Sequence, residues 1–422
     1  MESTSKSPRL TDKTLNVPSA AHLEYRGVVS ASCPQRIHAF DGLRALMMLL
    51  GVVVHTLATY TTIPLGDAWG FKDPQTNFAC DVGLAGLHSF RMPVFFVLAG
   101  FFAALLVARR GLDRFVRNRA TRVLVPFVLG YGLLLPLVEW GFFYANQRSL
   151  GAATSWVGSF AVARDALFRG DTGHLWFLYY LLCYYALSLL ACKVVPRAFA
   201  ARCHALFARC MASRWGILPF AAVVGSACAF MSSGVLETNT SLLPSPLVLF
   251  TYYIFYGFGW FLYGWREELR RLQTGLAIKA GLGFVLFALH SVCALEAIES
   301  GAVGVTPMSI ASGFFGALLA WVAVLFWLGL ALRGASTPKP LLRYLTDASY
   351  WIYLVHLPFA ITFAGMLAPM AWPALLKVLC VFSATTLVSL LSYALFVRST
   401  FISVLLNGRR YERRFGVEPS VV

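Results

Sequence analysis

Ten runs of about 20 predominantly apolar residues recur along the chain, and no other feature restricts its fold so tightly. They lie at 39–61, 83–107, 121–145, 174–195, 216–234, 245–264, 274–295, 306–332, 346–367 and 372–397. A helix of ~20 residues is ~30 Å long, the thickness of a bilayer's hydrocarbon core. Within that core every backbone N–H and C=O must be satisfied inside the segment, which an α-helix does and an open strand does not. The chain therefore reads as all-α, a polytopic integral membrane protein with about ten transmembrane helices.

The charges test this count. Only 13% of the 422 residues are charged and 58% are hydrophobic, about half the charge density of a soluble domain. A formal net charge of +16 raises nucleic acid as a partner, and the positions of the charges decide against it. With the N-terminus placed in the cytoplasm, 27 Lys and Arg fall on the inner side, spread over every inner loop. The outer loops hold only Lys72, Arg148, Arg164 and Arg169. This bias is an orientation signal and puts both the N- and C-termini in the cytoplasm.

Residues 1–36 read as a disordered cytoplasmic N-tail with no signal-peptide core, 37–398 as the membrane domain and 399–422 as a basic cytoplasmic C-tail. The inner loop 193–214 alternates Ala, Phe and Leu with Arg and His, the pattern of a short interfacial amphipathic helix. The nine cysteines show neither CxxC pairs nor zinc-ligand spacing, so no metal site and no disulfide framework are expected.

Ionisable side chains inside spans cost roughly 2.5–3.5 kcal/mol each on insertion scales, which makes them functional candidates by default. The first span, "FDGLRALMMLLGVVVHTLATY", carries Asp41, Arg44 and His55. At about 100° per residue the three share one stripe, with His55 about 20° from Arg44. Along the axis His55 lies ~16 Å beyond Arg44 and ~21 Å beyond Asp41, which rules out a direct His–Asp dyad in an unbroken helix. Asp41 and Arg44 are expected to pair with each other at the inner end.

The second span opens "LAGLHSFRMPVFFVLAGFF" and puts His88 and Arg91 three residues apart on one face, followed by a proline, Pro93, that invites a kink. Two readings stand for Arg91, a polar cavity or a reach to the outer headgroups. His174 in "GDTGHLWFL" starts the fourth span beside Trp176 and fits an aromatic interfacial belt as well as a site. His356 in "DASYWIYLVHLPFA" lies near mid-membrane, followed by Pro358, and its depth favours function. Asp347, at the inner start of the same span, reads as a helix cap. Six arginines crowd residues 109–122, with Arg119 and Arg122 facing one way. They serve orientation and lipid headgroups, or a cytoplasmic phosphate group, since guanidinium forks match phosphate oxygens.

His55, His88, Arg91, His174 and His356 thus converge on the outer half, and the arginines mark the inner face. That is a path from an anionic cytosolic ligand to an outward-facing site. A proton-coupled transporter or flippase of an anionic metabolite or glycan lipid would show the same pattern.

"FDGLRALMMLLGVVVH", "HSFRMPVFFVLAGFF", "HLWFLYYLL" and "ASYWIYLVHLP" resemble the membrane acyltransferase family 3, and within it the periplasmic-glucan succinyltransferases. The resemblance covers nearly all of residues 36–398. It implies a multi-pass protein of the bacterial inner membrane that moves an acyl group, succinyl by the subgroup likeness, from cytosolic acyl-CoA to hydroxyls of a periplasmic glycan. It makes His55 the catalytic base, with Arg91, His88, His174 and His356 as further catalytic residues. Arg119 and Arg122, with Arg44 and Asp41, become the acyl-CoA site. The implied co-substrate is acyl-CoA, with no permanently bound cofactor, and the implied partners are the glycan acceptor, membrane lipids and glucan-synthesis proteins.

Overall fold

A computed structural model describes residues 38–152, 156–301, 304–334 and 340–411, and the expected N-tail lies outside them. The helices in chain order are α1 His38–Ala58, α2 Phe78–Arg119, α3 Val125–Ser149, α4 Trp156–Ala166, α5 Trp176–Val194, α6 Arg197–Ala212 and α7 Leu218–Cys228. They continue with α8 Pro246–Gly264, α9 Leu276–Glu299, α10 Pro307–Gly334, α11 Pro340–Leu367, α12 Ala374–Ser392 and α13 Phe401–Asn407. Among the described residues the only β pairing is an isolated bridge between Asp171 and Ser241.

Eight helical stretches of the described residues are long and apolar enough to cross a membrane. One of them, Phe78–Ser149, is 72 residues long and contains the second and third expected spans. The fifth expected span, 216–234, forms only the 11-residue α7, which at ~1.5 Å per residue covers about half a hydrocarbon core. After Cys228 the chain turns at Ala229 and Phe230 and is extended at Met231, before a tight Ser232–Gly234 turn in which Ser233 takes a φ of 55°.

α1 is the hub, packing against α2, α10, α11 and α12. α8 lies along α2, α3 along α11, and α7 and α9 flank α10. Rings fill the interior: Phe96 contacts Trp176, Phe177, Tyr184 and Tyr252 with centroids 4.8–6.0 Å apart. The outside of the bundle is as apolar as its core, with Ile278 and Phe284 of α9 each 76% exposed. Water would penalise such a face and lipid does not.

The helix α2 continues through Pro93, and its break in helical dihedrals falls at Gly111, where a φ of 75° suits glycine. That turn lets the arginine-rich segment fold back across the basic end and re-enter as α3 through a π-turn, Ala120–Leu124. The inner loop 193–214 contains the helix α6, which sinks Phe207 against Phe258 at 5.0 Å and leaves its arginines outward.

Asp347 is not a cap. It lies seven residues inside α11, and its carboxylate pairs with Arg409 and accepts from the Tyr411 hydroxyl. The described part of the basic C-terminal segment therefore docks on the bundle: α13 packs beside the π-turn, and Arg410 donates to the Ser399 carbonyl.

Candidate active site

Three helices, α1, α2 and α11, and one turn bring His55, Arg91, His174 and His356 to the wall of a single narrow cavity, to which α5 adds Trp176 and Phe177. Its volume of about 20 Å³ leaves room for one water molecule. The imidazole centroids of His55 and His356 are 5.2 Å apart, and those of His174 and His356 are 5.6 Å apart. Each element explains its side chain. On α1, Gly51 stands one turn before His55, and a Cβ there would fall 2.6 Å from the Arg91 Nη1. Glycine at 51 is what lets the guanidinium of α2 lie against α1.

His174 sits in the 3₁₀ turn Gly173–Leu175. The preceding Thr172 is fully buried and donates through both its N–H and hydroxyl to the Thr240 carbonyl. From there His174 Nε2 reaches the Leu354 carbonyl of α11 at 3.0 Å. That carbonyl is available because proline has no N–H, and the helical partner of Leu354 four residues on is Pro358. Tyr353 completes the junction, its hydroxyl donating to the His174 carbonyl at 2.8 Å.

These bonds fix the tautomers, because a carbonyl oxygen only accepts. His174 carries its hydrogen on Nε2, and His356 carries its own on Nδ1, which donates to the carbonyls of Tyr353 at 2.8 Å and Ile352 at 3.0 Å. His174 Nδ1 and His356 Nε2 remain as buried acceptors, and the Arg91 Nε–H as a buried donor, without partners among the described residues. His174, His356 and Arg91 all line the same cavity, and imidazole lone pairs beside a guanidinium are groups that receive a hydroxyl and a developing oxyanion.

His88 does not join this group. Its Nε2 donates to the Leu236 carbonyl at 2.9 Å, and it is absent from the cavity wall. Shared helical spacing set it near Arg91, but 60° of rotation turns it toward the 235–245 loop.

At the basic end Arg44 lies 3.9 Å from Asp41 and over the Phe102 ring at 5.9 Å. Arg119 lies over Tyr185 at 5.2 Å and Phe115 at 5.6 Å. The Arg122 guanidinium packs against Gly408 at the end of α13, and the charges of Arg119, Arg110 and Arg44 act on it. α11 joins this cluster to the cavity. The Tyr350 hydroxyl donates to the Arg122 carbonyl at 2.8 Å. Tyr350 stacks with Tyr353 at 6.4 Å, and the Tyr353 ring is tilted against His356 at 6.3 Å. From Tyr350 to His356 is ~9 Å along the helix axis.

Sequence reading missed Trp69, Asp73 and Lys377. Trp69 lies on His55, with ring centroids 5.5 Å apart and planes 16° from parallel. Lys377 and Asp73 form an ion pair at 2.8 Å with neither side chain exposed. A lone lysine inside the tenth apolar run was a readable signal, whereas nothing local marks Trp69 or Asp73.

A family model described as an acyltransferase domain, that of acyltransferase family 3, matches residues 37–394. The chain is 23% identical over 394 residues to glucans biosynthesis protein C of Escherichia coli O157:H7, covering 90% of this chain and 96% of that protein. It is 23% identical over 392 residues to the protein of the same name from Escherichia coli K12, with the same coverage. No solved structure matches the chain.

Proposed function

The chain belongs to acyltransferase family 3, and from that premise we propose that it carries an acyl group from cytosolic acyl-CoA to a hydroxyl of a glycan on the opposite face of a bacterial inner membrane. The observation that supports this reading is the joining of two unlike sites by one helix. An arginine cluster suited to CoA phosphates lies at the basic end, and a histidine–arginine cavity lies ~9 Å further along α11. A pantetheine arm running beside Tyr350 and Tyr353 would bring a thioester to the cavity.

His55 is the most open of the three imidazoles there, since His174 and His356 are 5% and 2% exposed. It takes the proton of the acceptor hydroxyl as the oxygen attacks the thioester carbonyl, a contribution of typically 10²–10⁴-fold. Arg91 donates to the oxyanion. The C–S bond then breaks, the acyl group stays on the glycan as an ester, and the proton held by His55 leaves with CoA as its thiol. His174 and His356 hold the geometry around the reacting centre.

The name of the Escherichia coli relatives, glucans biosynthesis protein C, favours a glucan as acceptor, and a periplasmic glucan with succinyl-CoA as donor is the pair proposed. Purified protein in lipid, supplied with labelled succinyl-CoA and a β-glucan, is expected to yield succinylated glucan, and His55→Ala is expected to yield none while inserting normally. Product formation by His55→Ala at the wild-type rate would overturn the assignment of the base. Glucan left unmodified by the wild-type protein, with acetyl-CoA accepted in place of succinyl-CoA on another polysaccharide, would overturn the donor and acceptor.

A further inference from the structure

The loop between α1 and α2, residues 59–77, is bound to its surroundings more completely than a connection between two helices requires. Its backbone closes on itself just past the end of α1, from Asp73 N to Thr59 O and from Asn77 N to Tyr60 O, both at 3.0 Å. Asp81 receives the N–H groups of Thr62 and Ile63 at 2.9 and 3.0 Å. Asn146 of α3 donates to the Gly70 carbonyl at 2.8 Å, and Phe71 is 2% exposed within the cluster of Val138 and Leu357. In the middle of the loop stands Trp69. One of its contacts is the parallel stack on His55, a second is Phe142 at 90° and 5.2 Å, and its Nε1–H donates to Thr59 Oγ1 at 3.1 Å.

The deepest anchor is ionic. Lys377 Nζ reaches both Asp73 oxygens, at 2.8 and 2.9 Å, and Asp73 Oδ1 also accepts from the Gln75 N–H at 2.8 Å. Two charges with no exposure gain little net stability over well-packed apolar groups, while removal of one partner leaves an uncompensated charge. Such a pair specifies a position more than it adds stability. The position it specifies is that of a loop whose Trp69 ring lies flat on His55.

We propose that residues 59–77 form a latched cover in which Trp69 fixes the plane of His55 and bars bulk water from it, while Asp73 and Lys377 hold Trp69 in place. Trp69, Asp73 and Lys377 are thus positioning residues. The consequence for chemistry rests on the acyl-transfer reading of the site. A base that activates a sugar hydroxyl activates water equally, and water attacking the thioester gives free acid and CoA thiol in place of the glycan ester and CoA thiol. Exclusion of water is what directs the acyl group to the glycan.

Accessibility tests the cover without relying on turnover. The full chain carrying His55→Cys, inserted in sealed vesicles, is treated with a membrane-impermeant maleimide from the face opposite the basic loops, and labelling at position 55 is followed by peptide mass spectrometry. Adding Trp69→Ala is expected to speed labelling about ten-fold, because the rate follows the population of the open loop. The double change Asp73→Leu with Lys377→Met, which removes both charges together, is expected to do the same, and Trp69→Phe to stay slow. Equal labelling with and without Trp69 overturns the cover. With His55 intact, Trp69→Ala is expected to raise the ratio of acyl-CoA hydrolysis to glycan acylation, and an unchanged ratio in an active protein also overturns it. A protein that labels as expected yet acylates no glycan keeps the cover and loses the acyl-transfer reading.

Discussion

His174 donates its Nε2 hydrogen to the carbonyl of Leu354 at 3.0 Å, the carbonyl that Pro358 leaves without a helical donor. The proline and the histidine come from segments 184 positions apart in sequence, and one supplies the vacancy that the other fills. Two buried groups are satisfied by a single bond, and the tautomer of His174 is fixed by it.

This relationship predicts non-additive mutants. His174→Ala leaves the Leu354 carbonyl buried without a donor and is expected to cost ~1–3 kcal/mol of stability. Pro358→Ala restores an N–H at the right place in the helix, so the double variant should recover part of that loss. Thermal unfolding in lipid of the wild type, both single variants and the double variant measures the coupling. Strictly additive losses would mean that the Leu354 carbonyl is not the shared element.

Much of the fold was readable because lipid leaves the backbone few options. Apolar runs of the right length became helices, and the arginine-rich segment that marks one end by charge bias does lie apart from the histidine cavity. The errors have local physical causes. Residues 216–234 are apolar enough to span, but the helix stops at Cys228, and the chain runs on through an extended Met231 and a tight turn with Ser233 left-handed. Asp347 resembled a cap because the sequence places it near the edge of an apolar run, and only the folded chain brings Arg409 and Tyr411 to it. Helical spacing put His88 and Arg91 on one face and left two readings for Arg91, and it could not say that Arg91 would line the cavity while neighbouring His88 turns to the Leu236 carbonyl. Trp69 reaches His55 through a loop, where no periodicity predicts contact.

Gly51 should behave as part of the site although it has no side chain. A methyl group there would fall 2.6 Å from Arg91 Nη1, so Gly51→Ala has to displace the guanidinium. A displacement of ~1 Å at a reacting centre costs on the order of 10²-fold in rate. The expected result is a large fall in kcat for acyl transfer with KM for acyl-CoA little changed. A Gly51→Ala protein with full kcat would remove Arg91 from the reacting centre.

The docked C-terminal segment is expected to depend on one carboxylate. Asp347 holds both Arg409 and Tyr411, and Asp347→Ala frees them together. Trypsin added to the basic face should then cleave after Arg409 and Arg410 about ten-fold faster, because cleavage follows local opening. Cleavage at the wild-type rate would assign the docking to α13 and the Arg410–Ser399 contact instead.

Arg119 and Arg122 carry the remaining prediction, one that separates binding from chemistry. Both lie at the π-turn on the basic end, where the Arg122 carbonyl meets Tyr350, a residue ~9 Å along α11 from His356, and neither lines the histidine cavity. If they hold CoA phosphates, each charge-assisted contact is worth ~1.5–3 kcal/mol. Replacing either with glutamine keeps a polar side chain and removes the charge. Each single variant is expected to raise the KM for acyl-CoA by about 10–100-fold, the rate equivalent of those energies, with kcat held within about three-fold. Raising the salt concentration should weaken wild-type binding and affect the double variant less, because screening acts on the charges that the double variant lacks. An unchanged KM in the double variant would leave these arginines with orientation in the bilayer as their role. A fall in kcat alone would mean that they act on the cavity through Tyr350, whose hydroxyl is bonded to the Arg122 carbonyl.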